Sequence, residues 1–293
     1  MRKVRHFIFY LAGIFLIGVS IWLFFRYPPP VTHFNGERAY KDVLAQVSFG
    51  PRIPDSAAHT QTITYIQQEL ERAGWQVHIQ DMLWQGFSVQ NIIASRSGTV
   101  APIIVGAHYD SRLLADQDRG PGGKYPVPGA DDGGSGVAVL LELARTLPAG
   151  SVPVQLVFFD AEDSGGLDGR QWIMGSRAFV AALIEKPRAA IIVDMVGDSD
   201  LQIYIERNSN VNLTSAIWAQ AGVLGYGKNF IAQPKYAMID DHTPFLEAGI
   251  PAVDIIDFDY PYWHTAADTA DKVSAKSLQA VGETLWAWIV EQK

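Results

Sequence analysis

Four strand-length segments that are apolar almost throughout constrain the fold of this chain most strongly. They read PIIVGAH (102–108), VPVQLVFF (152–159), AAIIVDMVG (189–197) and IPAVDIIDF (250–258). A strand with one face in water alternates apolar and polar residues, whereas a nearly continuous apolar run indicates burial on both faces. Segments with the apolar spacing of helices lie between these runs. The sequence therefore predicts an α/β fold, a three-layer sandwich in which helices cover both faces of a mostly parallel, twisted sheet.

Two helices are predicted ahead of the first strands. Asn35 is the predicted cap of a helix that runs to about residue 47, with Glu37 in its first turn, where the helix dipole favours an acid. Asp55 is the predicted cap of a second helix over residues 56–73, which Gly74 would end. These helices are expected to pack on the sheet.

Acidic residues and histidines follow the apolar runs where the predicted strands and turns end. In a largely parallel sheet these points share one edge, at which ligands bind. The residues concerned are His108, Asp110, Asp131, Asp132, Glu162, Asp163, Asp194 and His264. Each has an ordinary structural explanation when it is taken alone; Asp131 and Asp132, for example, would suit a turn or a helix cap. Together, the carboxylates would repel one another strongly without a cation.

This set of residues predicts a metal centre. The chain contains no cysteine, so any metal must be bound by histidines and carboxylates. Those ligands suit catalytic Zn²⁺, as one ion or as two ions about 3.5–4 Å apart. Asp110, two residues after His108, is placed to accept a hydrogen bond from the other ring nitrogen of His108 and so to fix its tautomer.

The N-terminal segment predicts a membrane anchor. Residues 1–6 form a basic tip, and residues 7–25 carry no charge. Since about 20 apolar residues span a bilayer as a helix, we expect a retained single-pass signal anchor at 7–25, a Pro-rich linker at 26–33 and a catalytic domain at 34–293 on the extracytoplasmic side. The alternative is a cleaved signal peptide and a secreted domain. The net charge of −8 disfavours nucleic acid as a partner.

The order of the polar residues resembles the zinc aminopeptidase superfamily, to which the glutaminyl-peptide cyclotransferases (glutaminyl cyclases) also belong. The resemblance runs from Phe34 to the C-terminus. It rests on His-x-Asp, Gly-x-Asp-Asp-x-x-Ser-Gly, an adjacent acidic pair, a later Asp and a late His. Glu162, the first member of the acidic pair, matches the general base of the family.

The resemblance also implies a set of metal ligands. In members with two metal ions, the matching positions would make Asp132 the bridging ligand. His108 and Asp194 would complete one site, and Asp163 and His264 the other. In the single-zinc cyclases, the matching ligands are Asp132, Asp163 and His264.

Several details resemble the cyclase branch, among them FFDAED (158–163), HYDSR (108–112) and GSRAF (175–179). Asp240 stands where aminopeptidases usually have Ser and where cyclases have an Asp bonded to the catalytic Glu; the alternative is that Asp240 caps a helix. Trp263 matches a tryptophan of the cyclase substrate pocket, and Trp172 is a candidate for the same wall. Three departures stand against this branch: Asp163 replaces the usual Glu ligand, Asp254 replaces a His of animal cyclases, and GADDGGSG (129–136) is closer to aminopeptidases.

The resemblance therefore implies a zinc-dependent glutaminyl-peptide cyclotransferase, which converts the N-terminal Gln of a peptide or protein to pyroglutamate and releases ammonia. Its catalytic set would be Glu162, Asp240 and Asp110. The alternative is a zinc aminopeptidase that removes N-terminal residues from peptides. A non-catalytic binding ectodomain predicts loss of a ligand or of Glu162, and the only such change is the Glu-to-Asp replacement at Asp163.

Overall fold

The computed structural model describes residues 33–96 and 103–292. The predicted basic tip (1–6), anchor (7–25) and nearly all of the linker (26–33) lie outside the described residues, so the anchor stays a prediction. Among the described residues, none of the helices is both long and apolar enough to cross a bilayer.

Within the part of the chain that the structure describes, the main sheet has six strands in the order β1-β2-β4-β3-β5-β8, and β6 and β7 form a separate parallel pair. The strands are β1 (Gln76–Trp84), β2 (Phe87–Ser95), β3 (Ile103–His108), β4 (Val154–Phe159), β5 (Ala189–Asp194), β6 (Ile203–Ile205), β7 (Phe230–Pro234) and β8 (Ala252–Ile256). The helices are α1 (Gly36–Ser48), α2 (Ala57–Arg72), α3 (Gly134–Thr146), α4 (Met174–Ala181), α5 (Val211–Val223), α6 (Thr243–Glu247) and α7 (Ala275–Glu291), with 3₁₀ turns at Pro121–Lys124 and Ala270–Lys272.

The four strands predicted from the apolar runs form the parallel part of the sheet. β4 pairs with β3, β3 with β5 and β5 with β8, all in parallel. β1 and β2 form an antiparallel hairpin that adds to β4 at one edge. Every residue of β3, β5 and β8 is buried, as their continuous apolar sequences require, whereas the edge strand β1 is partly exposed throughout. The prediction of a mainly parallel α/β sheet is confirmed.

Alternate residues of β3 pack into cores on opposite faces of the sheet. Val105 belongs to the larger core, with Leu140 of α3 and Leu285 of α7. Ile104 belongs to a smaller core with Phe179 of α4 and Phe245 of α6. Helices therefore cover both faces, which leaves the carboxyl edge of the parallel strands for polar residues.

The predicted caps are correct at one helix and wrong by one residue at the next. Asn35 caps α1, and its side chain accepts a hydrogen bond from Arg38 N–H at 2.9 Å. The cap of α2 is Ser56, whose Oγ accepts from His59 N–H at 3.1 Å. Asp55 lies one residue too early and has a left-handed backbone (φ 70°), so it belongs to the preceding turn.

Candidate metal centre and pocket

The five predicted metal ligands converge at the carboxyl edge of the parallel sheet. His108 ends β3, Asp194 ends β5, Asp163 follows β4, Asp132 precedes α3, and His264 lies in the loop after β8. All five are buried. Strands buried on both faces therefore deliver these groups to one place, from positions far apart in the chain.

The ligands form two triads that share Asp132. In the first triad, His108 Nε2 lies 3.1 Å from Asp132 Oδ1 and 3.1 Å from Asp194 Oδ1. In the second triad, His264 Nε2 lies 3.0 Å from Asp163 Oδ1 and 3.7 Å from Asp132 Oδ2. The two oxygens of Asp132 thus face different histidines, an arrangement that suits a carboxylate shared by two ions.

The residues of both triads fit a metal ion. Oδ2 of Asp132 and both oxygens of Asp163 are buried and accept no hydrogen bond from the described residues. Burial raises the pKa of Asp163 to about 7, with a further contribution from Asp132, and burial also raises the pKa of Asp194 to about 7. One imidazole and two carboxylates per triad is a nitrogen and oxygen donor set that Zn²⁺ accepts.

The side chain of Asp110 binds the backbone of the acidic pair, Glu162 and Asp163. Its two oxygens accept hydrogen bonds from the N–H groups of Glu162 and Asp163, each at 3.1 Å. Its Oδ1 also lies 3.4 Å from His108 Nδ1, the ring nitrogen that faces away from the first triad. Asp110 therefore contacts the His108 ring as predicted, and it also fixes the turn that presents Glu162.

Two carboxylates that the sequence analysis missed support the ligands. Asp116 Oδ1 lies 3.2 Å from His264 Nδ1, and Arg112 donates to its Oδ2 at 3.1 Å and 2.5 Å. Burial raises the pKa of Asp116, but the hydrogen bonds from Arg112 lower it by more, so the pKa lies below its ordinary value. Asp116 lies in a polar loop rich in Gly and Pro, and nothing in its sequence context marks it.

Asp268 fixes the loop that carries Asp132. It accepts hydrogen bonds from the N–H groups of Asp131 and Asp132 at 2.9 and 3.2 Å, and from the Tyr260 hydroxyl at 2.7 Å. Its position four residues after His264 was the available signal in the sequence. Asp131 itself points elsewhere, since its Oδ1 accepts from Gly197 N–H at 2.7 Å.

A buried arginine supports the same loop from the other side. Arg52 donates to the carbonyls of Tyr109, Pro128, Gly129 and Asp132 at 2.6–3.2 Å. Gly129 has a φ of +68°, and a Cβ there would meet Arg52 Nη2 at 2.6 Å, so both the backbone conformation and the space require glycine. The loop is therefore held at its main chain, which leaves the carboxylate of Asp132 to face the two histidines.

Glu162 and Asp240 lie close together next to the first triad. Burial raises the pKa of Glu162 well above its ordinary value, and the charges of Asp163 and Asp240 add to this although His108 opposes it. The described residues contain no hydrogen bond between Asp240 and Glu162: Asp240 Oδ1 accepts from Asp241 N–H, and Asp240 Oδ2 has no partner. The side chain of Asp240 does not cap α6 either, since the residue at that cap is His242.

A cavity of about 370 Å³ opens onto these acids. Its apolar wall consists of Trp172, Met195, Met238, Ile239, Ile256, Phe258 and Trp263. The ring of Trp263 stacks on His264 at 3.9 Å between centroids, and the ring of Trp172 lies nearly parallel to His264 at 6.0 Å. Both predicted pocket tryptophans therefore flank one metal-ligand candidate and face the cavity.

Comparisons with known proteins place the chain in a family. The structure superposes on a glutaminyl cyclase from Porphyromonas gingivalis with a TM-score of 0.84 and 36% identity, over 90% of this chain and 100% of that one. It superposes on a Zn-dependent exopeptidase from Parabacteroides distasonis with a TM-score of 0.82 and 33% identity, over 88% of this chain and 99% of that one. A glutaminyl-peptide cyclotransferase from Boiga irregularis is 25% identical over 82% of this chain and 76% of its own length. Residues 91–289 match the model of peptidase family M28, and the chain belongs to that family.

Proposed function

We propose that this protein is a zinc-dependent glutaminyl-peptide cyclotransferase that acts on peptides or proteins with an N-terminal Gln. The observation that carries the proposal is the position of Glu162, which lines the cavity beside the buried carboxylates Asp163 and Asp240. A carboxyl group whose pKa is raised in this way can hold a proton near neutral pH, so it can both accept and donate one during a reaction. The likeness to the Porphyromonas gingivalis cyclase supports the same assignment.

The reaction needs one proton to move between two nitrogens. The substrate amine attacks the side-chain amide carbon of its own Gln, so that a C–N bond forms, the amide C–N bond breaks and ammonia leaves. Glu162 takes the proton from the attacking amine and gives it to the departing nitrogen. Zinc held by Asp132, Asp163 and His264 would supply a Lewis acid for the amide oxygen.

The pocket favours cyclisation by shape. Trp172, Trp263 and Phe258 form part of its apolar wall. Such a wall can hold the short Gln side chain folded back towards its own amine. The conformational entropy that ring closure requires is then lost when the substrate binds, so it no longer adds to the barrier of the reaction. Because the walls displace water, they also disfavour hydrolysis of the same amide.

The second candidate is a zinc aminopeptidase. It is favoured by the two oxygens of Asp132, which face different histidines, because two-metal hydrolases use such a shared carboxylate. The likeness to the Parabacteroides distasonis exopeptidase supports it too. In this reaction Glu162 would take a proton from water rather than from the substrate amine.

One assay separates the two functions. The zinc-loaded protein is incubated with Gln-initiated peptides and, separately, with aminoacyl reporters. Cyclisation predicts ammonia and a pyroglutamyl peptide from Gln substrates, with no free amino acid from either set. Release of free amino acids from varied peptides, without ammonia, would reject the cyclase assignment in favour of the aminopeptidase.

We also propose that the catalytic domain works on the extracytoplasmic side of a membrane. The proposal rests on the basic tip and the uncharged segment 7–25 that follows it. Fractionation of cells that express the full chain, followed by protease treatment of intact cells, tests this placement. A domain that remains protected in intact cells and is released into the soluble fraction on lysis would exclude it.

A further inference from the structure

A third group of one imidazole and two carboxylates lies outside the two triads. It consists of Asp240, His242 and Asp254, whose candidate ligand atoms all lie within 4.8 Å of one another. Asp254 lies within β8, and the other two residues immediately precede α6. His242 and Asp254 are fully buried, and Asp240 is 4% exposed. This third triad therefore has the same chemical composition as each of the first two.

The imidazole of His242 is oriented by a fixed acid. Its Nε2 lies 3.3 Å from Glu206 Oε2. Glu206 accepts hydrogen bonds from the N–H groups of Asn208, Ser209 and Met238 at 2.7–2.9 Å. A carboxylate held in this way favours the tautomer in which Nε2 carries the proton.

That tautomer leaves a lone pair on Nδ1, which faces the other two residues. Nδ1 lies 3.6 Å from Asp254 Oδ2, beyond hydrogen-bonding distance. Ligands arranged tetrahedrally about 2.0–2.1 Å from a zinc ion are themselves about 3.3 Å apart. A metal-binding histidine usually directs its second ring nitrogen towards a carboxylate. His242 Nε2 lies 3.3 Å from Glu206 Oε2 in this orientation, without the geometry of a hydrogen bond.

The oxygens of the third triad are also without partners. Oδ2 of Asp240, both oxygens of Asp254 and both ring nitrogens of His242 are buried and make no hydrogen bond with the described residues. Asp240 and Asp254 each offer an oxygen within 4.8 Å of the other. Two ionised carboxylates repel each other at this distance in a buried site, and a cation between them would remove the repulsion.

We propose that Asp240, His242 and Asp254 bind a divalent cation of the zinc type, in a position separate from the two triads that share Asp132. Glu206 orients His242 for this ion. The ion holds Asp240 in place beside Glu162. The site does not depend on which reaction the family fold carries out here, so it can fail while the proposed function stands.

Anomalous scattering from crystals of the full-length protein grown with ZnCl₂ tests the site directly. Data collected on both sides of the zinc absorption edge should give a peak about 2.0–2.2 Å from Nδ1 of His242 and from oxygens of Asp240 and Asp254. A density map with peaks at the other triads and none at this one would overturn the proposal and leave a proton shared between the two acids.

Two variants give an independent measurement in solution. After zinc loading and gel filtration, the His242→Gln and Asp254→Asn proteins should each contain one zinc per chain less than the wild type by elemental analysis. His59→Gln is the matched control, because His59 is a buried imidazole paired with Asp160 at 2.8 Å, and its zinc content should equal that of the wild type. Unchanged zinc content in both test variants would contradict the proposal; if neither variant folds, the anomalous map of the wild type decides.

Discussion

His264 Nδ1 lies 3.2 Å from Asp116 Oδ1, a carboxylate 148 positions earlier in the chain. Nε2 of the same ring faces Asp163, so the Nδ1 proton is directed to Asp116 and the Nε2 lone pair to the second triad. The proton position follows from the partners of the two nitrogens. Asp116 therefore sets both the angle and the tautomer of a candidate zinc ligand.

Asp116→Asn should weaken zinc binding by roughly 10–100-fold, the usual effect of removing a carboxylate that orients a ligating histidine. Competition with a chromophoric chelator measures the affinity. Asp118→Asn is the control, because Asp118 lies in the same loop but its side chain accepts from Ala266 N–H, at 2.9 Å, and from no other described residue. Equal losses in the two variants would mean that the loop, not the contact with the ring, determines affinity.

Glu162→Gln should reduce kcat by about 10²–10⁴-fold, because the amide cannot accept the proton of the attacking group. Zinc content should stay at the wild-type level, since Glu162 belongs to none of the three triads. Turnover by the cyclisation assay and elemental analysis of the same sample give both numbers. Near-normal turnover would show that Glu162 does not transfer the proton in this reaction.

Asp240→Ser should reduce cyclisation far more than any peptidase activity, because Asp240 lines the cavity together with Glu162 and aminopeptidases usually have Ser at this position. The neighbouring Asp241 offers a matched control. Asp241 is also buried, and burial raises its pKa well above its ordinary value, with Asp240 adding to the shift. Asp241→Asn removes this acid with almost no change of size. If Asp240→Ser leaves the rates of both reactions unchanged, Asp240 has no part in catalysis.

The metal-free protein should lose stability as the pH rises towards 7. Burial raises the pKa of Asp163 and Asp194 to about 7, from an ordinary value of 3.8. A folded chain that binds these protons more tightly than the unfolded chain is stabilised below pH 4, and this stabilisation disappears between about pH 4 and pH 7. The melting temperature without metal should therefore be higher at about pH 5.5 than at about pH 8.

Zinc should reverse that trend, because it binds the ionised carboxylates. Melting curves at both pH values, with excess chelator and with ZnCl₂, make the comparison. Stabilisation by zinc should be larger at the higher pH, where fewer protons compete for the ligands. An equal effect of zinc at both values would show that Asp163 and Asp194 are not its ligands.

Asp268→Asn should destabilise the metal-free protein by about 1–3 kcal/mol, because its amide group would turn an N–H towards a buried backbone N–H. In the wild-type protein, the two carboxylate oxygens of Asp268 accept hydrogen bonds from the backbone N–H groups of Asp131 and Asp132. Urea unfolding measures the change. Asp271→Asn, at an exposed position in the neighbouring 3₁₀ turn, should change the unfolding free energy very little. Similar effects of the two variants would contradict the role of Asp268.

Much of the sheet and of the metal centre could be predicted because both follow from local patterns. The apolar runs that became β3, β4, β5 and β8 indicate double-sided burial, and a parallel sheet brings their polar ends to one edge. His108 and Asp194 lie at such ends, so the approach of their side chains to 3.1 Å needed no knowledge of the loops.

The supporting contacts could not be predicted, because they join loops across long separations in sequence. Asp116 reaches His264 through an irregular loop, and the side chain of Asp254 is buried within β8, where a strand pattern alone suggests only an unfavourable charge. Asp55 was predicted as the cap of α2, and the observed cap is Ser56. Both residue types cap helices, so only the conformation of the backbone distinguishes between them. Local propensity does not contain that information.

Arg52 reaches the loop that carries Asp132 only through carbonyl oxygens, and these are the same in every amino acid. A guanidinium that recognises backbone in this way places no demand of its own on the side chains of the loop, apart from Gly129, where a Cβ would collide with it. A redesign of this loop should therefore keep Arg52 and Gly129 constant, together with Ala130, which is fully buried, and vary Pro128, which is partly exposed.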